Sequence, residues 1–385
     1  MKLARISLAL AVLAALAAPA ARAQVAIDVI GGSEVAFEGL VQVDYDYFDT
    51  DGIEYGSADL DGEDGNWDLR RSELVLKGKG PGNVEWVMGF DAGDNKFLDA
   101  NVKYKIGGNG NHFLQVGQFK QPGATMEELS STRNNDFISK SSITNTLATS
   151  RRVGAQYGIG DTNWGLTASY FSRELTRNRE HGNGYALRGY FAPVNTAGNV
   201  FHLGVSYLDK DTDGDVIRLR ARPMADLANT RFVDTGSSGL NRSDRASAIG
   251  AEALWINGPL KLQGEYMAID VRRYDAPDDF SGDGYYASAL WNLTGETWGY
   301  KGGVPATGLP SDPSRGLWQL GLRYDAIDLT DGAVVGGEMG SITAGVNWYW
   351  RANFKFSLNY VAVKQEKGTP EDNPNVVEAR AQFHW

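Results

Sequence analysis

The 385-residue chain contains no cysteine and only 12 prolines. Past its first two dozen residues it has no apolar run near the roughly 20 residues that a membrane helix needs. The missing thiols exclude disulfide scaffolds and thiolate metal centres, and the missing apolar run excludes a bundle of membrane-spanning helices. Basic residues are in the minority, 37 against 48 acidic, for a net charge of −11. That balance argues against nucleic acid as a partner. The chain is rich in aromatic side chains, with 10 Trp, 17 Tyr and 15 Phe, and this content excludes an intrinsically disordered chain.

Lys2 and Arg5 precede an apolar run from Ile6 to Ala18, and Ala21-Arg22-Ala23 has the small-x-small form of a cleavage site. Residues 1–23 are therefore expected to be a secretory signal peptide, and residues 24–385 the mature domain. Cleavage removes three basic residues and no acidic one, which takes the net charge to −14.

Beyond the leader, apolar and polar residues alternate in segments of about ten, each bounded by Gly, Asn and Asp. Val41, Val43, Tyr45 and Tyr47 alternate with Gln42, Asp44 and Asp46, and Phe354, Phe356, Leu358 and Tyr360 alternate with Lys355, Ser357 and Asn359. This is the period of strands with one apolar face. A large soluble β-sandwich, propeller or β-helix alternates too. Aromatics at segment ends, connections alternating between short and long, and a final clean strand ending on Trp385 favour a lipid-facing barrel.

Sixteen strands are expected, near 34–48, 67–78, 83–91, 97–106, 112–120, 151–159, 163–172, 184–192, 199–208, 246–256, 259–270, 284–293, 316–327, 340–350, 353–364 and 376–385. The phases of the second and fifth are ambiguous, because apolar and charged residues mix on both faces. The fold class is thus all-β, a 16-stranded antiparallel transmembrane barrel, with long loops folded into the lumen to shelter their apolar residues. Tight inner turns are expected at 78–83, 107–111, 158–163, 257–259 and 351–353. Outer loops at 121–150 and 209–245, and an inner connection at 294–315, are long enough to be functional. The alternating Arg218, Arg220 and Arg222 fall inside an outer loop, so this stretch is expected to be extended but outside the wall.

Charge is unevenly placed. The first outer loop, 49–66, has seven acidic residues and no basic one; such a rim either binds divalent cations that bridge to lipopolysaccharide or is merely solvated. Its Asp59-Leu60-Asp61-Gly62 and the later Asp211 to Asp215 lack the full calcium-loop spacing, so no metal site is expected. Lys120, Arg133 and Lys140 lie in or beside the first long outer loop, and Arg218, Arg220, Arg222, Arg231, Arg242 and Arg245 in or beside the second. Arg152, Arg188, Lys261 and Arg323 fall on polar strand faces. Arginines at every second position of an extended segment form a row about 6.5 to 7 Å apart, and fixed cations in a narrow lumen lower the barrier to anions. A solvated basic loop is the alternative. No enzyme is expected: there is no His-Glu-x-x-His or Gly-x-Ser-x-Gly, and Gly107-Gly108-Asn109-Gly110 has no helix after it. No cofactor is called for.

Gly117-Gln118-Phe119-Lys120-Gln121-Pro122, then Glu127-Glu128-Leu129-Ser130-Ser131, Asp136-Phe137-Ile138 and Arg151-Arg152-Val153-Gly154, resemble the phosphate-selective porin O and P family. Asp68-Leu69-Arg70-Arg71, Phe97-Leu98-Asp99-Ala100, Arg220-Ala221-Arg222-Pro223, Arg231 to Gly236 and Leu262 to Tyr266 are similar in the same order, so the resemblance covers nearly the whole mature chain. It implies a homotrimeric outer-membrane porin of a Gram-negative cell, seated among lipid and lipopolysaccharide, with an arginine ladder and a constricted anion site. Carried onto this sequence, the ladder is Arg218, Arg220 and Arg222, with Arg242, and the constriction holds Lys120, Arg133 and Lys140. Arg71, Arg152, Arg188 and Arg323 are the further basic residues expected in the lumen. Lys140 departs from the arginine expected there and lacks its forked donors, and Gly123-Ala124-Thr125-Met126 is poor in donors. The expected function is a passive channel for small anions, phosphate or polyphosphate first. A general or other-substrate porin, or a structural or adhesive barrel, are the alternatives.

Overall fold

A computed structural model describes residues 25–29, 33–50, 65–108, 110–176, 182–212, 214–236, 240–276, 278–366 and 373–385. The expected signal peptide and most of the acidic loop 49–66 lie outside the described residues.

Sixteen antiparallel strands form the wall: β1 Ser33–Asp49, β2 Gly65–Gly80, β3 Val84–Asp91, β4 Lys96–Lys105, β5 Phe113–Lys120, β6 Arg151–Gly160, β7 Trp164–Phe171 and β8 Gly184–Thr196. They continue as β9 Asn199–Asp211, β10 Ser243–Asn257, β11 Leu260–Arg273, β12 Phe280–Asn292, β13 Leu317–Asp331, β14 Val334–Trp350, β15 Phe354–Glu366 and β16 Asn375–His384. Each pairs with its neighbours in sequence, and β1 pairs with β16 from Leu40↔His384 to Asp49↔Asn375, so the sheet closes on itself and has no free wall edge. All sixteen strands expected from the alternation are present. A further short strand, Val25–Val29, was not expected; it pairs with residues 33–37 at the inner end of β1.

Alternation divides lipid from lumen. Leu74, Leu76, Val102, Val116, Leu166, Leu203, Val205, Leu262, Leu322, Ile342 and Leu358 are exposed on the outer face, while Asn101, Gln115, Gln263, Asn347, Asn359 and Glu378 are buried on the inner one. The ambiguous phases have local causes. In β2, Gln42 pairs with Arg71 and Val43 with Leu69, so Arg70 is an extra bulged residue; a bulge re-aims the side chains that follow it. In β5, Gly117 takes φ 122° and a Cβ there would lie 2.3 Å from the Ala100 carbonyl oxygen, after which Gln118 and Phe119 are both buried.

Aromatic rings line the inner rim in a run of contacts, Trp318 with Trp348, Trp348 with Phe356 and Trp350, Trp350 with Phe354, Phe354 with Phe383, and Phe383 with Trp385. Trp385 lies over Gly39, where a Cβ would come within 2.1 Å of its ring. The β13–β14 connection was expected to be longer. Its two residues, Gly332 (φ 55°) and Ala333, make a tight outer turn instead, because Val334 and Val335 pair with Asp331 and Thr330 beyond a register shift that passes over Gly336 and Gly337.

The long loops enter the barrel. Loop 121–150 carries two short helices, α1 Met126–Leu129 and α2 Ser142–Thr146. Loop 212–242 buries Leu219, Ala221, Met224, Phe232 and Val233 against the wall residues Phe48, Met267, Ile269, Ile327, Val361 and Val363, joined by Ile143 of loop 121–150. The inner connection 293–316 forms a small hairpin, Gly299–Lys301 with Val304–Ala306, and buries Trp298 with Met126 and Phe137. Burial of such apolar surface, worth about 25 cal/mol per Å2, gives loops that would otherwise sit in water a reason to fold inward.

Candidate functional site

The lumen has two unlike halves. On the side formed by β8 to β16, wall cations point into the loops. Lys355 donates to the Asn135 carbonyl, Arg380 Nη1 to that of Ile138 (3.0 Å) and Arg323 Nη1 to that of Ser139 (3.0 Å), while Lys261 Nζ donates to the Asp136 carboxylate (2.6 Å). Gln382 and Asn347 reach the carbonyls of Arg133 and Asp136. From the wall's acidic side chains, Glu265 accepts the backbone N–H groups of Met126 and Glu127 (2.5 and 2.9 Å), and Asp325 accepts that of Ser142 (3.0 Å). Loop 121–150 is thereby strapped across the lumen by its backbone. The inner hairpin is held in the same way: Arg188 donates to Glu252 Oε1 and to the Gly303 carbonyl, and the buried His202 bridges Glu252 and the Tyr300 hydroxyl. Arg188, Lys261 and Arg323 do face the lumen, as their alternation implies, but each is consumed in fastening a loop.

On the opposite side, β1 to β6 leave a cavity of about 930 Å3. Lys77, Lys79, Lys103, Lys120, Glu85 and Asp99 are among the charged residues lining it. Its outer end is the constriction. Lys120 Nζ donates to the carbonyls of Glu128 (2.5 Å) and Ser130 (2.8 Å). Lys140 and Ser150 both donate to the Glu128 carboxylate, and Arg151 donates to Asp99 (3.0 Å). Burial pushes the Glu128 carboxyl up, but Lys140, Lys120 and Arg151 outweigh it and hold the group well below the usual carboxylate range. Toward the inner mouth, Lys105 pairs with Glu85 and Lys77 with Glu38, each at 2.6 Å. Lys103 lies over the Phe113 ring.

Above the constriction stands the arginine row. Its backbone is extended, tied by two short bridges, Val216–Ile217 with Leu240–Asn241 and Arg220–Ala221 with Val233–Asp234. Leu219 and Ala221 turn into the apolar cluster, which leaves Arg218, Arg220 and Arg222 exposed on the other side. Arg218 makes a fork to Asp234 (2.8 and 2.5 Å), and Arg222 Nε donates to the Ala228 carbonyl. Arg231 adds a fourth cation; burial and then its neighbours Arg222 and Arg220 pull its guanidinium down to about 10. Arg70, the bulged residue of β2, continues the row by pairing with Asp226 (3.1 Å), and Arg71 pairs with Glu73 (3.2 Å). Burial pushes the Asp226 carboxyl up, yet Arg70, with Arg380, Arg222 and Arg71, holds it at about 2.

Two expected positions differ in place. Arg242 sits at the outer rim, where it donates to the Asp275 carbonyl, away from the row. Arg133 is exposed, and its charge acts on His384 at the inner end of β16 and not on the Lys120 cluster. Arg152, expected among the further lumen cations, is buried and pairs with Glu174 of an outer connection (3.1 Å), while its neighbour Arg151 stands at the constriction. Arg70, Arg151 and Arg231 were not singled out beforehand as path residues, although each stands in one of the quoted family motifs.

A family model described as phosphate-selective porin O and P matches residues 35–385. Porin O of Pseudomonas aeruginosa is 35% identical over 213 residues, 48% of this chain and 48% of that protein, so the matched stretch spans about half of the relative. Among solved structures, the outer membrane channel DcaP of Acinetobacter baumannii superposes with a TM-score of 0.61 at 10% identity, covering 94% of this chain and 99% of that one. An anion-selective porin from Comamonas acidovorans gives 0.56 at 13% identity, covering 92% and 100%. At such identities the likeness concerns the fold.

Proposed function

Since this chain belongs to the phosphate-selective porin O and P family and is an outer-membrane porin, we propose that it is a passive channel for small anions, with phosphate or polyphosphate as the leading ligand. The carrying observation is the run of cations on the open side of the lumen, from Arg218, Arg220, Arg222 and Arg231 through Arg70 and Arg71 to Lys120, Lys140 and Arg151, then to Lys103, Lys77 and Lys79. An anion in a narrow polar tube is stabilised by fixed cations, and it moves only if successive sites are each weak. The row offers guanidinium forks suited to phosphate oxygens.

A second reading, a general diffusion porin on the same barrel, is favoured by the carboxylates interleaved with that row. Arg218 faces Asp234, Arg70 faces Asp226, Arg71 faces Glu73, Arg151 faces Asp99, Lys140 faces Glu128 and Lys105 faces Glu85. These pairs lower the field that an anion meets.

The assembly we propose is a homotrimer. Strands β3, β5 and β7 have 8 residues each, whereas β10 to β15 have 13 to 17. Eight residues tilted near 40° rise only about 20 Å, less than the roughly 25 Å apolar band, so the low side of the wall is suited to a neighbouring barrel. Delivery to the membrane is assigned to residues 1–23 as a cleaved leader.

The deciding test is the zero-current potential of the refolded mature protein in a planar bilayer under a KCl gradient, repeated with added phosphate. Anion preference with phosphate blocking the chloride current is the expected result. Cation preference or indifference moves the assignment to the general porin, and absence of conductance moves it to a structural role.

A further inference from the structure

Thr125 caps α1, its Oγ1 accepting the Glu128 N–H (3.1 Å). A Thr with Glu three residues on is the sequence of a capping box, in which the acidic side chain turns back to the N–H of the cap. Glu128 does not turn back. Its carboxylate accepts from Lys140 Nζ at one oxygen and from Ser150 Oγ at the other, with Lys120 and Arg151 as the next cations in order of effect. The carboxylate is 8% exposed. An anion that accepts from a lysine and a hydroxyl, with a second lysine and an arginine close by, has the surroundings a phosphate oxygen would require, and here the protein's own side chain fills them. Asp99, paired with Arg151, is the other carboxylate facing the group.

We propose that Glu128 is a resident counter-ion that sets the affinity of the constriction: a permeating anion competes with its carboxylate for Lys120, Lys140 and Arg151. This deepens, and rests on, the anion-channel reading. Three cations facing two carboxylates leave one net positive charge, which attracts an anion without trapping it. Removal of the Glu128 charge leaves two, and converts a transit point into a binding site. The residue thus sets selectivity through its carboxylate, while its backbone carbonyl is held by Lys120 of the wall.

The test uses the full mature chain, with inorganic phosphate as the blocker of chloride current. Glu128→Gln keeps the shape and loses the charge, and its half-blocking phosphate concentration is expected to fall at least about tenfold, since one opposing unit charge a few ångströms away in a partly buried site is worth that much or more. Glu128→Asp keeps the charge and is expected to stay near the unsubstituted protein. Equal block in all three proteins overturns the inference. A jump in conductance shared by both variants also overturns it, since it means that Glu128 only ties the loop down. If the unsubstituted channel shows no anion preference, the reading of the preceding subsection falls. The same pair of variants still decides on Glu128: a gain of anion preference confined to Glu128→Gln supports the counter-ion role, and no gain overturns it.

Discussion

The two sides of the lumen are built from the same residue types and use them oppositely. On the β8 to β16 side, Arg188, Lys261, Arg323, Lys355 and Arg380 are buried, and their donors end on loop carbonyls and carboxylates. On the β1 to β6 side, Lys77, Lys79 and Lys103 line open space, and only Lys120, at the outer end of that space, also donates to loop carbonyls, those of Glu128 and Ser130. A lumen-facing cation is therefore not in itself a rung of the path. The distinction lies in whether a loop lies over it, and that is decided by residues far away in the chain.

The comparison breaks most visibly at a clamp. Arg380→Met removes the fork to Asp44 and the bond to the Ile138 carbonyl, leaving a buried carboxylate uncompensated, a loss of about 3–5 kcal/mol. Loop 121–150 is expected to come loose, with a several-fold rise in single-channel conductance and new protease cleavage within 121–150. An unchanged conductance would place this arginine among the rungs. Next in size, replacing Arg218, Arg220 and Arg222 together by Ala is expected to lower anion preference strongly in the zero-current potential while leaving conductance nearly unchanged, because Leu219 and Ala221 still anchor the loop. Retained selectivity removes the row from the mechanism. A smaller loss of selectivity is expected from Lys77→Gln with Lys103→Gln near the inner mouth. Arg242→Ala, at the rim, is expected to shift the zero-current potential least.

Acid sharpens the same contrast. Asp226 is held at about 2, below its ordinary value, so its contribution to docking loop 212–242 is complete above about pH 4. The contribution is lost as pH falls through about 2. Pepsin digestion of loop 212–242 is accordingly expected to be slow at pH 4 and to accelerate toward pH 2. Equal rates at both would remove Asp226 from the docking.

Much of the fold was legible because a barrel wall writes its two solvents into alternate residues, and Gly, Asn and Asp mark its turns. The phases of the second and fifth strands were not, since the bulge at Arg70 breaks the alternation of the one and, past the positive φ of Gly117, Gln118 and Phe119 of the other are both buried. In the site, alternation put Arg188 and Arg323 on the polar face of their strands, where both are buried. It was silent on their use, because their partners, Gly303 and Ser139, lie 115 and 184 residues away.

The strap across the lumen grips loop 121–150 by the carbonyl oxygens of Arg133, Asn135, Ile138 and Ser139, groups that every amino acid carries. The wall thus recognises mainly a path of backbone, with the Asp136 carboxylate on Lys261 and the Ser139 hydroxyl on Glu378 among its side-chain contacts. Side chains of the loop that face the cavity are free to be exchanged without loosening the strap, so a lineage or an engineer can rewrite what the channel prefers while keeping the same scaffold.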